Sequence, residues 1–170
     1  MKQQIIVSGL GGQGALTVTR LLAEAAAALG KEVITSETHG MAQRGGTVIS
    51  MVKVGPFRGP LIPLAAADVG IFLYAGNLPV HMPYLKPHGV ALVDVAAPGD
   101  YRHLDARTLT AAAGLPPVAA NLVLLGYGAG LGLFFCDAPF LDNLITAITP
   151  SRFRDMNLTA FRLGVAQAAP

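Results

Sequence analysis

The stretch IIVSGLGGQGALTVTRLL, residues 5–22, passes from a short apolar run through a cluster of glycines into a segment rich in alanine and leucine. Residues 5–8 read as a strand. Gly9, Gly11 and Gly14 then spell G-x-G-x-x-G. Residues 13–29 carry Leu16, Leu21, Leu22, Ala25 and Leu29 at helical spacing, and Gly30 supplies a stop. A second strand is expected over 32–36 (EVITS). Strand, turn, helix and strand make a βαβ unit, the connection that parallel strands require, with a right-handed crossover.

The alternation continues outward. Residues 47–55 (TVISMVKVG) suit a strand through Val48, Met51, Val52 and Val54, and the proline-rich 56–63 reads as a loop or edge. Residues 69–74 and 90–95 are continuous apolar runs, the pattern of strands buried on both faces, with a helix expected over 77–85 between them. A short helical piece follows at 108–113. An apolar helix is predicted over 121–135, with Asn121 as its N-cap and with Gly126 and Gly130 four apart, where another backbone can come close. Helices over 139–148 and 151–168 complete the set. No repeat, linker or second domain interrupts the 170 residues, so the expectation is a single domain, residues 1–170. Its fold class is α/β, three-layer α/β/α around a mostly parallel, Rossmann-like sheet.

Composition narrows the function. Charged residues are 13% of the chain, against about 25% in an average protein; either Ala, Gly and Thr cover the surface or another subunit does. Twelve basic against ten acidic residues, with no basic run, argue against a nucleic-acid binder. Residues 114–136 are free of charge, but Pro116 and Pro117 confine any helix to 121–135. Such a helix reaches about 22 Å against a hydrocarbon core of about 30 Å, so no membrane span is expected. The opening MKQQIIVSG has too short an apolar run for a secretory signal. The single cysteine, Cys136, excludes a disulfide framework or an iron–sulfur cluster built from this chain alone, and is expected to be buried and inert. A cytoplasmic setting fits.

The glycine loop leaves its ligand open. In a dinucleotide fold the three glycines serve the turn, the approach of a pyrophosphate and helix packing, and an acidic residue about 20 positions on holds the ribose. Glu37 lies near that distance, yet it runs straight into a polar segment. NAD or FAD binding and a tight structural turn both remain readings of these residues.

That polar segment is more specific. ETHGMAQRGGTVISMVKVG, residues 37–55, taken with GLGGQG, resembles the gamma-type subunits and domains of the thiamine-dependent 2-oxoacid:ferredoxin oxidoreductases, most nearly the small subunits of the indolepyruvate type. NLVLLGYGAG from Asn121 and RFRDMNLTAFRLG from Arg152 extend the resemblance over essentially the whole chain. It departs at Tyr74, Ala75 and Gly76, where a glutamate is expected, and at Lys53.

The resemblance implies oxidative decarboxylation of a 2-oxoacid with coenzyme A, electrons leaving to ferredoxin. It also implies that thiamine diphosphate, magnesium and the iron–sulfur clusters belong to a large partner subunit, with coenzyme A as co-substrate. A homodimer of the isolated chain is possible. The residues it places at a substrate, coenzyme A or interface surface are Gly9, Gly11, Gly12, Gln13, Gly14, Glu37, Thr38, His39, Gly40, Gln43, Arg44, Gly45 and Gly46. Arg44 is the leading candidate, because a guanidinium among glycines presents a planar fork to a carboxylate or phosphate; an ion pair across a subunit boundary explains it equally. His39 is a candidate proton carrier, as histidine side chains ordinarily titrate near neutrality, but a loop histidine bonded to backbone or partner explains it as well. Thr38 and Gln43 serve either substrate or turn. His81, His88 and His103 have neither metal spacing nor a paired carboxylate and read as surface or loop residues, and Phe161 as core. The alternatives are a free-standing NAD(P)- or FAD-binding reductase, and a scaffold that has lost its catalytic partner.

Overall fold

The first strand, β1 (Gln3–Leu10), is buried from residue 5 to residue 9 because it lies inside a sheet covered on both faces. A computed structural model, which describes residues 1–38 and 45–170, places it third in a six-stranded sheet. The others are β2 (Val33–Glu37), β3 (Thr47–Val54), β4 (Ala67–Phe72), β5 (Leu85–Asp94) and β6 (Arg102–Leu104), in the order β2-β3-β1-β4-β5-β6. The β1–β4, β4–β5 and β5–β6 pairs are parallel. Strand β3 runs antiparallel to both of its neighbours, β1 and β2.

The expected βαβ unit is therefore present in direction but split. β2 is parallel to β1 with β3 between them, and burial gives the reason. Seven consecutive residues of β3, Val48 to Val54, are buried, whereas β2 exposes Thr35 and Glu37 and is suited to an edge. The short β6 at the other edge was not anticipated, having only three residues.

Among the described residues the six α-helices are α1 (Ala15–Ala28), α2 (Leu78–His81), α3 (Ala106–Ala112), α4 (Ala120–Gly130), α5 (Ala138–Ile148) and α6 (Ser151–Gln167). The layers differ in thickness. On one face Ile5, Val7, Val52, Ile71 and Leu92 share a core with α1, α4, α5 and α6. On the other, Ile6, Met51, Phe72 and Val93 are covered by Ile62 from the β3–β4 loop and by Leu78, Met82 and Tyr84 around α2. The helix expected over 77–85 is broken into single turns, because Pro79 and Pro83 lack the N–H that a continuous helix needs. Leu61, Leu64 and Val80 lie exposed on this thinner side.

Local chemistry fixes the helix ends. Gly30, at φ 70°, closes α1 as expected: its N–H donates to Ala27 O and that of Lys31 to Ala26 O. Gly132, at φ 72°, stops α4 well short of the anticipated Phe135, and Leu133 N–H returns to Gly128 O. Among the described residues no helix is long and apolar enough to cross a membrane.

The crossing of α4 and α6 relies on missing side chains. A Cβ at Gly126 would fall on the carbonyl of Phe161, and one at Gly164 on the carbonyl of Val123; both obstacles are backbone. Phe161, fully buried, packs in the same core as expected. Gly164→Ala is expected to cost about 3 kcal/mol or more, at the upper end of overpacking penalties, measured as loss of free energy in chemical denaturation.

Candidate functional site

Open α/β sheets place ligands beyond the carboxyl ends of parallel strands, where neighbouring connections diverge. Here that point lies between β1, whose chain leads towards β2, and β4, whose chain leads towards β5. The antiparallel β3 brings its first residue, Thr47, to the same end, in register with Leu10. Gly11 N–H donates to Gly46 O at 2.9 Å, so the glycine loop and the end of the polar motif are joined directly.

The loop needs its glycines for backbone reasons. Gly12 has φ 90°, and Gly14, the N-cap of α1, has φ 81°, both in the left-handed region that side chains disfavour. The start of α1 has no side-chain cap and no acidic residue in its first turn. Its outward N–H groups and dipole favour an anion.

Three carboxamides hold this loop. Gln13 accepts from Leu10 N–H at 2.7 Å and donates to Leu73 O at 3.3 Å, spanning β1 and the end of β4. Asn121 donates to Gly14 O at 3.1 Å, and its amide occupies the space a Cβ on Gly14 would need. It is thus not the cap of α4, which begins at Ala120 with Ala119 in the cap position. Asn121 is a buried tether between halves of the chain. Asn77 donates to Gly9 O at 2.9 Å and to Ser8 Oγ at 3.1 Å, and its Oδ1 accepts from Thr47 Oγ1 at 3.3 Å.

Behind Asn77 the hydrogen bonds continue inward. Ser8 Oγ lies 2.6 Å from His81 Nδ1, both residues being buried. A neutral imidazole serves this bond in either tautomer, since the Ser8 hydroxyl can donate to Nδ1 or accept from it. Burial agrees, lowering the His81 pKa below its ordinary value. The surface or loop reading of His81 is therefore corrected, whereas His88 is exposed and His103 stands half-buried on β6.

Two clefts flank the loop and share Gly12. One, about 290 Å³, lies between the start of α1 and β3, with Leu16, Thr38, Val48 and Ser50 in its walls. The other, about 210 Å³, lies between Gln13, Leu73, Asp94, Arg107 and Asn121. Asp94, buried at the end of β5, accepts from Ala106 N–H at 2.9 Å, and its other oxygen is 3.8 Å from Arg107 Nε. Burial pushes its carboxyl up, opposed by the N–H groups of Arg107 and Ala106.

Of the residues singled out in sequence, Gly9, Gly11, Gly12, Gln13, Gly14, Thr38 and Gly46 gather at this end of the sheet. Gln13 and Thr38 are engaged with backbone: the Thr38 hydroxyl accepts from Ile49 N–H at 3.2 Å and donates to Ile49 O at 3.1 Å, ending the β2–β3 ladder. Glu37 is the exposed last residue of β2, opposite Ser50, and Gly45 is a left-handed turn residue at φ 71°. His39, Gly40, Gln43 and Arg44 lie outside the described residues. Cys136 is buried and its thiol is pushed up to about 12, first by burial. Among the described residues no group of three or more His, Cys, Asp or Glu could hold a metal.

Sequence reading missed Ser8, Asn77, His81, Asp94 and Arg107. Asp94, an acidic residue inside the apolar run 90–95, was the one available signal. Because unfolding frees His81 to take a proton below pH about 6.5, stability is full above that pH and erodes as pH falls towards the lowered native value. Thermal melting between pH 7.5 and 5 should show this decline, and His81→Asn, which keeps an acceptor near Nδ1, should flatten it.

Residues 4–167 match the family model described as pyruvate ferredoxin/flavodoxin oxidoreductase. The chain is 32% identical to the indolepyruvate oxidoreductase subunit IorB of Archaeoglobus fulgidus, over 99% of this chain and 96% of that one. It is 30% identical to the subunit of the same name from Methanothermobacter thermautotrophicus, over 99% of each. Among solved structures it is similar to the gamma subunit of a keto/oxoacid ferredoxin oxidoreductase from Geobacter sulfurreducens, with TM-score 0.77, 27% identity and 98% of each chain covered. The fold recurs in the 2-oxoglutarate:ferredoxin oxidoreductase of Magnetococcus marinus, with TM-score 0.78 and 20% identity, where 99% of this chain spans 32% of the other. The chain thus belongs to the pyruvate ferredoxin/flavodoxin oxidoreductase family, as a subunit of a 2-oxoacid:ferredoxin oxidoreductase.

Proposed function

We propose that the paired loops, Gly9 to Gly14 and Glu37 to Gly46, form with a larger partner subunit the region that admits coenzyme A and a 2-oxoacid of the indolepyruvate kind. The reaction served is oxidative decarboxylation: the 2-oxoacid loses carbon dioxide, its acyl group passes to the coenzyme A thiol, and two electrons leave to ferredoxin. Thiamine diphosphate, magnesium and the clusters are assigned to the partner. This chain contributes surface rather than redox chemistry.

The observation that carries this reading is the Gly11–Gly46 hydrogen bond beside the uncapped start of α1, which makes one anion-accepting surface of two separate motifs. Support also comes from the relatives, named as subunits, and from the exposed Leu61, Leu64 and Val80. The crevice between β1 and β4 is bridged by Gln13 and Asn77, which weighs against a free-standing dinucleotide reductase. Titration of the isolated chain with NADH, NADPH and FAD should show no micromolar binding.

Arg44 is the residue assigned to the ligand's carboxylate or phosphate. In the assembled complex Arg44→Ala is expected to lower 2-oxoacid oxidation about tenfold, the loss of one charge-assisted hydrogen bond. Unchanged turnover and unchanged affinity for coenzyme A would remove it from the site.

A further inference from the structure

Asn77 closes the 3-10 turn (Ala75–Asn77) that follows β4, and only 3% of its surface is exposed. One amide meets three strand ends. It belongs to the chain leaving β4, it holds Gly9 O at the end of β1, and it receives the hydroxyl of Thr47 at the start of β3. Thr47 follows Gly46, whose carbonyl takes the Gly11 N–H. The glycine loop and the foot of the polar motif are thus fixed to one another through backbone on one side and through Asn77 on the other. Ser8 and His81 hold the Asn77 amide from behind.

A leucine would fill the same space. Burying an amide costs free energy unless every polar atom is paired, and a fully paired network gains chiefly a single geometry. Both polar atoms of the Asn77 carboxamide are paired. From this we infer that Asn77 is a positioning residue: it sets the separation between the glycine loop and the start of β3 at Gly46 and Thr47, and through it the affinity for coenzyme A rather than the rate of the chemical steps. Thr47 is its counterpart across the crevice. The inference rests on the function proposed above.

The test uses the complex of this chain with its large subunit, assayed with 2-oxoacid and varied coenzyme A, and the melting temperature of each variant. Asn77→Leu is expected to raise KM for coenzyme A about tenfold, and Thr47→Val about threefold, the range of one net hydrogen bond. In both, kcat should stay within about twofold; melting should stay within a few degrees in Thr47→Val and fall further in Asn77→Leu, which leaves Gly9 O without its donor. Thr47→Ser, which keeps the hydroxyl, should restore KM, and the double variant should be no worse than Asn77→Leu, because both act through one bond.

An unchanged KM in Thr47→Val, additive effects in the double variant, or a fall in kcat that tracks loss of melting temperature would each overturn the positioning role. Arg44→Ala separates this from the parent reading. A raised KM in Arg44→Ala with normal values in the Asn77 and Thr47 variants refutes the positioning role alone. Normal KM in all three, with the variants weakening subunit association instead, refutes both. Raised KM in the Asn77 and Thr47 variants alone supports the positioning role and removes only Arg44.

Discussion

Where α4 crosses α6 the two backbones touch, Gly126 under the carbonyl of Phe161 and Gly164 under that of Val123. Such an approach carries α4 deep into the helical layer, and the first turn of α4 holds Asn121. From there its amide reaches Gly14 at the head of α1, more than a hundred residues earlier in the chain. The order of causes runs from two absent side chains, to a helix crossing, to one hydrogen bond, to the conformation of the glycine loop. Asn121 and Gly14 are complementary, since the amide fills the volume that glycine vacates.

The site built on this frame is held by amides rather than charges. Gln13, Asn77 and Asn121 each bind backbone carbonyls, and Gln13 also accepts a backbone N–H. Neutral groups can fix a loop without imposing a field of their own, so the N–H groups at the start of α1 keep their attraction for an anion. The charged pair nearby, Asp94 and Arg107, sits across the second cleft, with Asp94 committed to the first N–H groups of α3.

Much of the architecture was legible because apolar runs and glycine stops are local. The strand at 5–8, the helix closed by Gly30 and the last two helices depend on residues adjacent in sequence. The place of β3 between β1 and β2 does not; it follows from the burial of Val48 to Val54 relative to β2, a comparison between strands. Asn121 shows the same limit. As a polar residue before an apolar helix it had the local signature of a cap, and its actual partner, Gly14, is visible only in three dimensions. His81 was read as a surface residue because its partners, Ser8 through the hydroxyl and Asn77 beyond, come from different elements. The motif at 37–55 identified the family, while the structure shows how its Gly46 is tied to the first loop.

The reversed direction of β3 has one more consequence. The chain between Glu37 and Thr47 connects neighbouring antiparallel strands, and both of its feet are clamped by the β2–β3 ladder and by the Thr38 hydroxyl. Lengthening a connection of this kind costs only a term that grows with the logarithm of its length, and no sheet register has to move. The number of residues between these two strands can therefore change while the core, the glycine loop and the amides that hold it stay unchanged.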